Sequence, residues 1–225
     1  MVVDAGPGSR MDERQAMVAG LKRHRVIRSP EVERAMLSIP RHIFVPSDMQ
    51  KSAYRDAPLP IGCGQTISAP HMVAIMLEAA PLCPSMNVLE IGAGSGYNAA
   101  LLASIVGDGG HVYTVERVPE LADRAQEALR RVGMGGIVTV IKGDGSKGAP
   151  EHSPYDRIYV TCGAPNLPRP LGEQLAEGGI MLVPEGERYI QVLVEYRKDG
   201  GRLVRRKRES VLFVPLIGEY GWPEG

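Results

Sequence analysis

The chain has 225 residues, 44% hydrophobic and 23% charged, enough for one domain with a small addition and a core that needs no staples. Its 26 Lys and Arg match its 26 Asp and Glu, so no global positive field draws in nucleic acid, and its three scattered cysteines (Cys63, Cys83, Cys162) argue against a disulfide framework or a zinc site. No apolar stretch reaches the roughly 18 residues of a membrane span.

Residues 1–14 carry Asp4, Asp12 and Glu13 and no apolar h-region. No secretory signal is read there, and a reducing, cytoplasmic setting is expected. Val2 to Ser9 is expected to fray. Met11, Met17, Val18 and Leu21 share one face of a helix over about Arg10 to His24. Ser29-Pro30-Glu31 reads as an N-cap with proline at the first helical position, and Pro40 stops that helix after about Ser38. Phe44 to Ala69 is Pro- and Gly-rich yet holds Phe44, Tyr54 and Ile61, and is expected to be an ordered loop. Ser68-Ala69-Pro70 opens a helix over about His71 to Ala80. Strands follow at Val88–Ile91, His111–Glu116, Ile137–Ile141, Tyr155–Thr161 and Ile180–Val183, with helices at Tyr97–Val106, Pro119–Val132 and Leu167–Leu175. That alternation predicts an α/β fold, a doubly wound and mostly parallel sheet. Gln191–Arg197 and Leu203–Val214, joined through Gly200-Gly201, predict an antiparallel finish. The run Arg205-Arg206-Lys207-Arg208 reads as a basic edge strand, not a nucleic-acid patch.

The sharpest local feature is Val88-Leu89-Glu90-Ile91-Gly92-Ala93-Gly94-Ser95-Gly96-Tyr97. A strand feeding a glycine turn and then a helix lets a ligand approach the main chain and offers it free N–H groups. Glu116 ends the next strand about 20 residues on, where such folds place a carboxylate on a ribose. A dinucleotide site would want G-x-G-x-x-G with pyrophosphate at the helix start, and Glu90 just before the turn would repel it. The carboxylate suits a cationic ligand such as S-adenosyl-L-methionine, so charge favours the methyl donor; a turn with no ligand is the bland alternative. Asp144, in Lys142-Gly143-Asp144-Gly145 after the third strand, is placed to reach an adenine amino group. Ser95 does not make a nucleophile elbow, because the flanking positions are Ala93 and Tyr97.

Around this turn the chain resembles class I S-adenosylmethionine methyltransferases, and more specifically the protein-L-isoaspartate (D-aspartate) O-methyltransferases. The distinguishing stretch runs Tyr54-Arg55-Asp56-Ala57-Pro58-Leu59-Pro60-Ile61-Gly62-Cys63-Gly64-Gln65-Thr66-Ile67-Ser68-Ala69-Pro70-His71-Met72, with further pieces in Arg41-His42, Phe44-Val45-Pro46, Gly143-Asp144-Gly145 and Phe213-Val214-Pro215-Leu216. The resemblance covers nearly the whole chain after about residue 10.

It implies a Rossmann-like core over residues 81–225. Residues 1–80 would supply N-terminal helices and a substrate loop packed on the same domain. The implied reaction is methylation of the free carboxylate of L-isoaspartyl residues in damaged proteins, with D-aspartyl residues left open as a second substrate. The product cofactor is S-adenosyl-L-homocysteine, and the ester opens repair through a succinimide. Ser68 is the implied active-site residue, with His71 and Val214 beside the substrate. Gln65, Thr66 and Ile67 would wall the cofactor, along with Glu90, Gly92, Gly94, Ser95, Gly96, Asn98, Glu116, Arg117, Gly143, Asp144 and Gly145. Ser68 also reads as a plain helix cap. Ile217 and Trp222 stand where some relatives place polar groups over the cofactor. The expected partners are isoaspartyl peptides and proteins, without nucleic acid, membrane or metal, and the expected state is a monomer.

Overall fold

The computed structural model describes residues 10–224, so the expected fraying of Val2 to Ser9 lies outside the described residues. Helices α1 (Met11–Arg23) and α2 (Pro30–Ser38) come first. Ser29 caps α2 by accepting from the Val32 N–H, and Pro30 stands at its first turn. The stretch expected to be loop contains a small antiparallel hairpin, β1 (Leu59–Gly62) and β2 (Gln65–Ile67). Its strands are too short, and too interrupted by Pro60, to leave an alternating pattern legible in sequence. Helix α3 (Pro70–Ala79) follows.

The remainder alternates: β3 (Asn87–Ile91), α4 (Tyr97–Val106), β4 (His111–Glu116), α5 (Pro119–Arg131), β5 (Val138–Lys142), β6 (Tyr155–Val160), α6 (Arg169–Gln174), β7 (Leu175–Glu187), β8 (Ile190–Asp199) and β9 (Arg202–Val211). The seven strands from β3 onward form one sheet in the order β5-β4-β3-β6-β7-β8-β9, parallel from β5 to β7 and antiparallel from β7 to β9. Two boundaries move. Strand β7 is 13 residues long, far beyond the expected Ile180–Val183, because β8 pairs with it from Ile180 to Glu187. Strand β9 stops at Val211, short of the expected Val214, because the chain there turns toward β6 and bridges Gly163 to Pro215. Arg205 to Arg208 lie on β9, the sheet's edge, where Arg205 pairs with Glu185 at 2.8 Å and Arg208 with Glu195.

Period-two alternation divides the core between the faces of the sheet. Val88, Val112, Tyr159, Ile180 and Leu182 join a cluster with Met36, Ile61, Leu77 and Leu101 from the N-terminal segments and α4. Leu89, Ile158, Met181 and Val183 join the other, with Leu171 of α6. Residues 10–80 therefore share an apolar core with the sheet, which fixes the β1–β2 hairpin and the start of α3 above the carboxyl ends of β3 and β4. Among the described residues, no helix is long and apolar enough to cross a membrane.

Candidate functional site

The site opens at the carboxyl ends of β3, β4 and β6, where the sheet's connections diverge and open α/β sheets leave a crevice. It is an open cleft of about 980 Å³, counting the space at its solvent-filled mouth. The turn after β3 forms its floor. Gly92 has φ +96°, and a Cβ there would lie 2.7 Å from Thr161 Oγ1. Thr161 Oγ1 lies 2.9 Å from the Ile91 carbonyl and 2.8 Å from that of Gly92, so β6 clamps the turn from beside it. Gly96, φ +86°, starts α4 and lets the helix rest on α5, where a Cβ would meet Ala125 at 3.2 Å.

Two carboxylates flank the turn. Glu116 receives the Gly94 N–H at 2.8 Å on one oxygen and the Val118 N–H at 2.9 Å on the other. It therefore fixes the glycine turn to the β4 end. Glu90 has no exposed surface; Asn98 donates to it at 2.7 Å and the Thr114 hydroxyl at 2.5 Å. Burial pushes its carboxyl up to about 7, against the opposing pull of those two donors.

The opposite wall comes from β2 and the start of α3. Gln65, Thr66, Ile67 and Ser68 line it in sequence. Helix α3 begins at Pro70 with Ala69 as N-cap and no side-chain cap, so the capping role read for Ser68 is overturned. The Ser68 hydroxyl has no hydrogen-bond partner among the described residues, while its carbonyl accepts from Arg41 Nη2 at 2.8 Å. Val214, Pro215, Leu216 and Ile217 close the third side.

Of the residues singled out in sequence, Gln65, Thr66, Ile67 and Ser68 on one wall face Glu90, Gly92, Gly94, Ser95, Asn98, Glu116 and Arg117 on the other, with Gly145 and Val214 at the rim. Four lie off the lining. Gly96 turns inward onto α5. Gly143 receives no contact with the cleft, its N–H going to the Glu116 carbonyl at 3.0 Å. Asp144 is spent on the C-terminal segment: its carboxylate accepts from Ser146 and, at 2.9 Å, from the Glu219 N–H, which holds it below its ordinary range. His71 faces Asp56, which accepts at 2.9 Å from both its ring Nδ1 and its main-chain N–H. Sequence reading missed Thr161 and Cys162, although their place at the carboxyl end of a parallel strand was a usable signal. It also missed Val73 and Met76, whose helical spacing is that of any core face.

The C-terminal segment straps this cleft. Leu216 bonds to Gly163 and Trp222 to Leu216, Lys147 pairs with Glu219 at 2.7 Å, and Arg117 pairs with Glu224 at 2.6 Å. Ile217 reaches the cleft and bridges to Trp222, over which Arg188 stacks at 5.3 Å.

Glycines that admit a ligand to the main chain, a buried acid for a cationic group and a second acid at the β4 end fit S-adenosylmethionine. Residues 12–221 match the model of the family described as protein-L-isoaspartate(D-aspartate) O-methyltransferase. A protein-L-isoaspartate O-methyltransferase of Hyperthermus butylicus is 53% identical over 221 residues, covering 95% of this chain and 92% of that one. One from Methanopyrus kandleri is 54% identical over 213 residues, 94% of each chain. Among solved structures, a protein-L-isoaspartate O-methyltransferase superposes with a TM-score of 0.85 at 34% identity, covering 92% of this chain and 67% of that one. A Plasmodium falciparum protein described as the same enzyme, in complex with S-adenosyl-L-homocysteine, superposes at 0.83 with 29% identity, covering 91% and 98%. By both sequence and fold, the chain belongs to the protein-L-isoaspartate(D-aspartate) O-methyltransferase family.

Proposed function

We propose that this protein uses S-adenosyl-L-methionine to methylate the free carboxylate of L-isoaspartyl residues in damaged peptides and proteins, starting their return to aspartate through a succinimide. The observation that carries the assignment of Ser68 is its unpartnered hydroxyl, facing the glycine turn across the cleft. When bound, S-adenosylmethionine supplies an electrophilic methyl group on a sulfonium. Gly92, Gly94, Ser95 and Glu116 would hold the nucleoside end, and Glu90 with Asn98 the cationic amino acid end.

The substrate needs no base. A carboxylate with an ordinary pKa near about 4 is already ionised at neutral pH. What the chain contributes is alignment and removal of water. Ser68 Oγ donates a hydrogen bond to one carboxylate oxygen and leaves the other free to attack. Ile67, Val214 and Leu216 exclude solvent around it. The Val214 carbonyl is occupied by the Gly163 N–H, but among the described residues the Leu212 N–H and carbonyl and the Val214 N–H have no main-chain partner. Those groups suit a substrate main chain laid alongside as an added strand, which ignores substrate side chains and so accepts many sequences. His71, tied to Asp56 and off the lining, is left as a residue that braces the start of α3.

The three free cysteines fit a reducing cytoplasm. The decisive experiment compares methyl transfer to matched peptides carrying isoaspartate or aspartate, with wild type and Ser68→Ala. Strong preference for the isomer and a large loss in the variant are expected; equal labelling of both peptides would sink the substrate assignment.

A further inference from the structure

Behind Ser68 lies the buried guanidinium of Arg41. Arg41 has no exposed surface. Its guanidinium donates to the Ala53 carbonyl at 2.9 Å and to the Ser68 carbonyl at 2.8 Å, and stacks 5.0 Å from the centre of the Tyr97 ring. Its third nitrogen, Nη1, is buried and unpartnered. Among the described residues no carboxylate lies within ion-pair distance of it. Asp56, whose charge reaches it, is half-exposed and engaged with His71. Arg14, also buried and also with an unpartnered nitrogen, adds a second positive charge to the same cluster with Tyr54 and Tyr97.

A buried cation without a counter-charge is costly, and proteins keep one chiefly where a charge arrives to meet it. Bonding two carbonyls needs donors on two nitrogens but no net charge, so the charge of the guanidinium is not accounted for by bracing alone. We propose that Arg41 is a positioning residue for the carboxylate-receiving end of the cleft, fixing the Ser68 main chain and holding a buried, unneutralised positive charge behind it. The inference rests on reading Ser68 as the carboxylate's hydrogen-bond donor. Two unit charges roughly 7 Å apart in an effective dielectric of about 20 change affinity by roughly ten- to a hundredfold.

The test uses two peptides that differ only in charge: the isoaspartyl peptide and its isoasparaginyl counterpart, whose side-chain amide is neutral. KM for the first and the inhibition constant of the second are measured at saturating S-adenosylmethionine for wild type, Arg41→Lys, Arg41→Gln and Ser68→Ala. Arg41→Gln should raise KM for the carboxylate peptide at least about tenfold, while leaving the amide peptide and S-adenosylhomocysteine binding within about threefold. Arg41→Lys should keep the carboxylate-over-amide preference and lose kcat, since an ammonium cannot span both carbonyls. Equal weakening of both peptides in Arg41→Gln would leave only a structural strut and overturn the proposal, as would no change at all. Should that variant fail to fold, the wild type decides. A buried cation's preference for the carboxylate peptide persists at 0.5 M salt, whereas a ratio falling toward one would assign the preference to exposed cations instead. Unchanged turnover in Ser68→Ala would overturn the serine reading separately, whatever Arg41 does.

Discussion

The two long walls of the cleft are built on opposite rules. On the β3–β4 side the polar side chains are already committed: Glu116 holds two main-chain N–H groups, Glu90 holds Asn98 and Thr114, and Thr161 braces the glycine turn. On the β2–α3 side the main chain is tied down from behind by Arg41, while the Ser68 hydroxyl is left free. A wall that spends its side chains on itself presents a fixed shape to a ligand that is always the same. A wall that keeps its hydroxyl uncommitted can meet substrates that share one carboxylate and little else. The contrast breaks first at Gly92. Gly92→Ala should cost about 2–4 kcal/mol of stability, combining about 1 kcal/mol for the left-handed backbone with about 1–3 kcal/mol for overpacking against Thr161. S-adenosylhomocysteine binding should be lost with it. Urea unfolding of Gly92→Ala, of Thr161→Ala and of the double variant separates the two contributions, because Thr161→Ala alone records the loss of its bonds to the turn and the coupling between the two records the packing. A Gly92→Ala protein of native stability that still binds cofactor would show the wall to be pliable.

Ser68→Ala should do the reverse, leaving stability and S-adenosylhomocysteine affinity untouched. Loss of one hydrogen bond to a charged group, about 1.5–3 kcal/mol, corresponds to roughly a ten- to 150-fold fall in kcat/KM for an isoaspartyl peptide. Ser68→Thr keeps a hydroxyl and should recover part of that loss. If the alanine variant instead melts early, with unaltered turnover per folded molecule, the hydroxyl belongs to the fold and not to the chemistry.

How much of this was legible in the sequence follows the same division. The β3 turn, Glu90 and Glu116 carry local signatures, since a strand, glycines and an acid at a fixed distance have few other uses, and the structure brings them together. The sheet's parallel part was equally readable, because buried parallel strands leave short apolar runs. The β1–β2 hairpin was not, being short and broken by Pro60, and the true length of β7 was not, because pairing with β8 determines it. Asp144 shows the limit most clearly: a carboxylate at the right strand end looked like a ligand group, but its partner is the main chain of Glu219, 75 residues away. No local pattern announces a contact across that separation.

Glu90 sharpens the comparison through pH. Its carboxyl is pushed up to about 7 in the folded protein, above its ordinary 4.5, so the fold favours the protonated form. Its contribution to stability is therefore full below about 4.5, declines as pH rises between those values, and is level above about 7. A ligand ammonium reverses this by favouring the carboxylate. S-adenosylhomocysteine affinity should then rise with pH up to about 7, by as much as roughly tenfold per unit, and level off above it. Calorimetry in buffers of different ionisation enthalpy should record proton release at pH 6 and little at pH 8. Glu90→Gln should flatten the profile; a wild-type profile already flat from pH 5.5 to 8 would remove Glu90 from the cationic end of the site.

The smallest effect lies in the strap, which belongs to neither wall. Asp144 is held below its ordinary range by the Glu219 and Ser146 donors, so its hold on the segment is present above about 4 and is lost as pH falls through its lowered value. Asp144→Asn replaces a charged acceptor by a neutral one, and the difference between such bonds is about 1 kcal/mol, or roughly fivefold in local opening. Hydrogen exchange at the Glu219 and Tyr220 amides should quicken by about that factor, with exchange in β3 and β4 unchanged. Acidifying the wild type should speed the same two amides, relative to their intrinsic rates, without the substitution. If the strap is what closes the cofactor side, S-adenosylhomocysteine should dissociate faster from the variant in proportion to the faster exchange. If exchange quickens and dissociation does not, the segment is packing laid over a site that the two walls already close.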